Sequence, residues 1–126
     1  MKEMKENLKY SKDYRIENEF TTDHIGIKVL STPSLIYLIE KTSNIFIQEF
    51  LNKNETTVGI YIETNHLQPL KLNKKITIRL NIDKYVDKKV FLSYEVYKKN
   101  NYDYLIATGN HQRYIVNKKK FKEKLE

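Results

Sequence analysis

A chain of 126 residues can bury one hydrophobic core of ordinary size and not two, and at 40% hydrophobic and 31% charged, with ten Tyr and five Phe, its composition is that of a folded protein. The absence of cysteine removes disulfides, thiolate metal sites and a Cys nucleophile; no apolar run approaches the roughly 20 residues of a membrane-spanning helix, and the lysine-rich start has no apolar segment of the kind that directs export, so a cytoplasmic location is expected. The formal net charge of +7 favours anionic partners, whether nucleic acid, anionic lipid or a phosphorylated small molecule.

Residues 1–12 are polar and are expected to form a frayed N-terminal tail, which leaves residues 13–126 as a single domain without internal repeats or linkers. Tyr14, Ile16 and Phe20, all at even positions, predict a short strand ahead of a loop around Gly26. Ser31-Thr32-Pro33 is a helix start, because either hydroxyl can accept an orphan backbone N–H and Pro33 fits the first turn without losing a bond. The helix is expected over residues 33–51. Within it Leu35, Ile36, Leu38, Ile39, Ile45, Phe46, Ile47 and Phe50 cover more than one narrow stripe, so other structure should wrap around it.

After turn residues 52–54 the periodicity switches to two. Val58, Ile60, Ile62, Thr64 and His66 should share one face of a strand. Ile76, Ile78, Leu80 and Ile82 form a second alternating set, Val90, Leu92, Tyr94 and Val96 a third, and residues 104–116 a longer apolar and aromatic stretch. Asp87-Lys88 and Lys99-Asn100-Asn101 are too short for parallel crossovers, so the sheet should be antiparallel. The lysine run at positions 118–124 reads as a solvated tail. A buried helix followed by four antiparallel strands, with a fifth before it, is an α+β pattern. A hotdog fold, in which the sheet curls around the helix, and a helix lying on an open sheet both satisfy it.

Three stretches carry chemistry: Val29-Leu30-Ser31-Thr32-Pro33 leading to Glu40, Thr57-Val58-Gly59 leading to His66-Leu67-Gln68-Pro69, and Gly109-Asn110-His111-Gln112-Arg113-Tyr114-Ile115-Val116. In their order and spacing, over about three quarters of the chain, they resemble the fluoroacetyl-CoA thioesterase family. The resemblance implies a hotdog fold of about five antiparallel strands wrapped around one central helix. It also implies hydrolysis of a small acyl-CoA to free acid and CoA without a cofactor, and a homodimer with its active sites at the subunit interface. Thr32, Glu40 and His66 fall on the family's catalytic positions, and Gly59 and Arg113 on those that contact the acyl-CoA. Where the family commonly carries Thr-Pro and then a glycine, this chain has Leu70-Lys71 and Asn73.

Thioester hydrolysis needs an activated water or nucleophile, a proton acceptor and stabilisation of an oxyanion, and these residue types can supply each. Glu40 is a candidate base if burial raises its pKa, His66 titrates near neutral pH, and Thr32 can attack or hold water or substrate. Two geometric conditions follow. The eight residues from Thr32 to Glu40 span about 12 Å of helix, so the two side chains cannot meet along it and a folded-back loop or a second chain must complete the group. Gly59 and His66, seven residues apart, point to opposite faces of a regular strand unless a bulge intervenes or Gly59 acts through its backbone N–H.

His24 reads as a loop residue and His111 as structural beside Arg113; the spacing of the three histidines makes no metal site. A non-catalytic module that binds acyl-CoA or another small ligand is the alternative function. Nucleic-acid binding has only charge and tyrosines behind it, with no recognition helix or aromatic RNA-binding motif.

Overall fold

The structure, a computed structural model, describes residues 3–126. Its elements in chain order are β1 (Lys9–Arg15), a 3-10 turn (Asn18–Phe20), β2 (Thr21–His24), β3 (Ile27–Leu30), α1 (Thr32–Gln48), β4 (Glu55–His66), β5 (Lys75–Val86), β6 (Lys89–Lys98), β7 (Asn101–Asn117) and α2 (Lys118–Leu125). One antiparallel sheet runs β1-β5-β6-β7-β4, and β2 pairs with β3 as a separate hairpin.

Two-residue turns join β5 to β6 and β6 to β7. Asp87 (φ +55°) leads the turn between β5 and β6, and Asn100 (φ +65°) closes the one between β6 and β7. Asp and Asn enter this left-handed region more readily than other residues with a Cβ. Asn73 adopts φ +72° in the turn ahead of β5.

The even-numbered residues of β5 and β6, from Ile76 to Ile82 and from Val90 to Val96, are buried against α1, which presents Leu35, Leu38, Ile39, Phe46 and Ile47. Truncating a Leu or Ile in such a core typically costs about 2–5 kcal/mol. Thr42 and Ser43 lie on the same buried face, and their hydroxyls donate to the carbonyls of Leu38 (2.6 Å) and Ile39 (2.7 Å), satisfying groups that would otherwise be costly to desolvate.

The expected elements are present with shifted limits. α1 starts at Thr32, with the Ser31 hydroxyl accepting the Ser34 N–H at 3.2 Å, and ends at Gln48 rather than near residue 51. The first strand begins at Lys9, inside the segment expected to fray, and ends before Phe20, which sits in the 3-10 turn. Alternation explains the early start: Tyr10 stacks on Phe46 with ring centroids 5.1 Å apart, and the Tyr14 hydroxyl meets Thr42 Oγ1 at 2.8 Å.

The loop around Gly26 is a tight hairpin with Ile25 at φ +55° and Gly26 at φ +75°. The terminal lysines are solvated as expected and form α2, because the Asn117 side chain accepts the Lys120 N–H at 3.0 Å and Phe121 is half-buried. Among the described residues no helix is long and apolar enough to cross a membrane.

Candidate active site

The first helical residue and the last residue of β4 are fixed from both sides. Leu30 donates its N–H to the Leu70 carbonyl (2.8 Å), and Ser31 donates to Phe20 (3.0 Å), which holds the start of α1. Leu67 and Gln68 both donate to the Ile106 carbonyl (2.7 and 3.3 Å), which holds the end of β4. These anchors bring Thr32 Oγ1 to 2.8 Å from His66 Nδ1. The pair lines a cleft of about 510 Å³ with Thr22, His24, Val29 and Pro69. His66 Nε2 is buried there without a hydrogen-bond partner. Burial lowers the His66 pKa, with the Gln68 backbone opposing, so at neutral pH the ring is an uncharged base.

A second cluster forms around Gly59. A Cβ at this position would lie 2.6 Å from Glu40 Oε1, 3.3 Å from Arg113 Nη1 and 3.5 Å from His111 Cε1. The missing side chain therefore makes room for the Glu40 carboxylate beside the guanidinium. Arg113, 6% exposed, donates from Nε to Thr57 Oγ1 (2.7 Å), from Nη2 to the Thr57 carbonyl (3.1 Å) and from Nη1 to His111 Nε2 (3.2 Å). The Thr57 hydroxyl in turn donates to Asn44 Oδ1 at 2.7 Å. Burial lowers the Arg113 pKa and the Glu40 carboxylate partly offsets this.

Gly59 and His66 reach the same face through a bulge. Gly59 pairs with Arg113 and Tyr61 with Gln112, so Ile60 is an extra residue without a partner in β7. The expected single face for Val58, Ile60, Ile62, Thr64 and His66 is corrected accordingly. Thr57 and Gly59 face α1 before the bulge, Ile62, Thr64 and His66 after it, and Ile60 is 47% exposed.

The structure thus joins Thr32 to His66, and Glu40 to Gly59 and Arg113, without joining the two groups. Two helical turns, about 12 Å, separate Thr32 from Glu40 along α1, and about 20 Å of strand separates Gly59 from His66. No loop among the described residues folds back to close the gap. Thr57 and Asn44 escape sequence reasoning, although the i, i+2 relation of Thr57 to Gly59 was a signal that both lie on one face.

Five antiparallel strands curled around a long helix define the hotdog fold of the thioesterases. The fold matches that of the fluoroacetyl-CoA thioesterase FlK with a TM-score of 0.88 at 16% identity, covering 98% of this chain and 96% of that one. It also matches a hypothetical protein of Thermus thermophilus described as a thioesterase superfamily member (TM-score 0.86, 20% identity, 99% and 93% covered). A third match is a hot-dog-like protein from Thermanaerovibrio acidaminovorans (0.85, 16%, 95% and 89%). Residues 15–119 match the sequence model of the FlK family, the fluoroacetyl-CoA-specific thioesterases. The chain belongs to that family and is an acyl-CoA thioester hydrolase. No curated protein matches it in sequence.

Proposed function

We propose that the protein hydrolyses a small acyl-CoA to the free acid and CoA, with Thr32, Glu40 and His66 as the catalytic group and Gly59 and Arg113 at the acyl thioester. The 2.8 Å contact between Thr32 Oγ1 and His66 Nδ1, in a cleft where His66 Nε2 has no partner, carries the reading. A neutral imidazole takes the proton as the Thr32 hydroxyl, or a water held by it, attacks the thioester carbonyl. The same ring returns the proton to the departing CoA thiolate. Glu40 orients the hydrolytic water, and the Arg113 guanidinium, fixed beside it, binds the acyl-CoA by donating hydrogen bonds. With the space over Gly59 filled by the Glu40 carboxylate, little room remains for a long acyl group. FlK variants have been solved with fluoroacetate and CoA and with acetyl-CoA, ligands of the same class.

The working unit in this proposal is a homodimer. β4 is an edge of the sheet twelve residues long, with Ile60 and Tyr61 exposed, whereas the other edge, β1, is shorter and carries Lys9, Lys12 and Arg15. Natural edges are normally blunted by charge in this way, and an open apolar edge invites pairing with another strand. If β4 pairs antiparallel with its own copy about an axis through Glu63, with Ile60 passed over again, Gly59 lies opposite the partner's His66. Each pair of half-sites then becomes a whole one.

Release of free thiol from a panel of short acyl-CoAs tests the activity. Glu40→Gln and His66→Ala are each expected to lower the rate by at least about 10²-fold. Rates equal to the unmodified protein in both variants would refute the assigned roles, and no turnover with any thioester would leave a binding module in place of an enzyme.

A further inference from the structure

We infer that His111, together with Thr57 and Asn44, sets the position of Arg113 at the acyl-CoA site, and that His111 does so only as the neutral tautomer with its proton on Nδ1. The inference rests on the proposed function for the purpose of the arginine, but its geometry stands apart from it. A guanidinium can only donate hydrogen bonds. The Arg113 contact therefore makes His111 Nε2 an acceptor, and the remaining ring nitrogen carries the proton and donates it to the Tyr61 carbonyl at 2.8 Å. The same logic runs the other way: Arg113 Nε donates to Thr57 Oγ1, which leaves the Thr57 proton to go to Asn44 Oδ1. Each hydrogen bond in the chain from α1 through β4 to β7 has one direction. Three of the five Arg113 N–H groups are committed to this chain, and two, one on each terminal nitrogen, are left for a ligand beside Glu40 and Gly59.

Protonating His111 would turn its acceptor into a donor aimed at a donor and set two cations against each other. The charged groups that face the ring are Arg113 from its own strand and Glu40 from α1; β4 presents Ile62 and the Tyr61 carbonyl, and β6 presents Leu92. His111 is fully buried. Burial and then Arg113 push its pKa down, against the Tyr61 hydrogen bond and Glu40, so the neutral ring persists below the usual histidine range.

Two measurements on the intact protein decide the matter. In ¹⁵N spectra of the histidine rings at neutral pH, His111 should show the Nδ1–H tautomer; an Nε2–H tautomer or an imidazolium overturns the inference whether or not the protein turns over a thioester. In kinetics with an acyl-CoA that is turned over, His111→Phe is expected to raise KM at least about 10-fold with a smaller effect on kcat, as removal of a buried hydrogen-bond partner would. His111→Gln, whose amide can donate to Tyr61 and accept from Arg113, should bring KM back to within about 3-fold of the unmodified value. That variant should also lose any rise of KM on acidification, because glutamine does not titrate. Equal impairment by Phe and Gln, a normal KM in the Phe variant, or a rise of KM at acid pH that survives in the Gln variant would each overturn it. Absence of turnover refutes the proposed function alone, since the tautomer is read without substrate.

Discussion

Gly59 has a use that its conformation does not reveal. Its φ is not in the left-handed region, and what excludes a side chain there is the Glu40 carboxylate, 2.6 Å from where a Cβ would lie. Gly59→Ala should therefore act through Glu40, displacing the carboxylate and lowering kcat by about 10²-fold, the order of loss expected from a displacement near 1 Å. A double-mutant cycle checks this: in a Glu40→Gln background the same alanine should cost much less, and full additivity would mean that the two residues act independently. Thr32, Glu40, Gly59, His66 and Arg113 could be proposed as site residues through the family resemblance, because they lie in short stretches of fixed order. Thr57 and Asn44 could not, because their meeting with Arg113 depends on register between strands and on which way a helix faces, and no local pattern carries either.

The long strands were legible for the same physical reason that they pair: alternation of apolar side chains along β5 and β6 is both the signal and the buried surface. β1 was read late because Lys9, Ser11 and Asp13 mask the alternation of Tyr10, Lys12 and Tyr14, an edge strand being wet on one face. The bulge in β4 was legible only as a condition for Gly59 and His66 to cooperate.

Gly109 decides how β4, β6 and β7 pack. Tyr94 pairs with Gly109 and its hydroxyl reaches Thr64 Oγ1 (2.6 Å) and the Glu63 carbonyl (2.7 Å), and a Cβ on Gly109 would fall on that carbonyl and on the ring. Gly109→Ala should destabilise the fold by about 1–3 kcal/mol, the usual cost of overpacking. Chemical denaturation reads this as a lower midpoint, and an unchanged midpoint would show that the Glu63 backbone and Tyr94 both move aside freely.

For the molecule as a whole, the proposed homodimer makes activity a property of two chains. Thr32→Ala and Glu40→Gln variants, each inactive alone, should recover about a quarter of normal activity after mixing and subunit exchange, because half of the dimers are then mixed and each mixed dimer holds one intact site. Sites contained within single chains would give no recovery. Acid should weaken the fold early. His66 and His111 have lowered pKa values, so below about 6.5 the unfolded chain binds protons that the folded one refuses, and stability falls with pH. Asp13 and Glu63, also lowered, keep their stabilising effect until near pH 4 and then add to the loss. A melting temperature that rose between pH 7 and 5 would contradict this.

Finally, Ile60 puts β4 one residue out of phase with itself. Deleting it would give a more regular ladder and at the same time turn either Gly59 or His66 outward. Selection for a sturdier protein and selection for a working one therefore part company over a single codon.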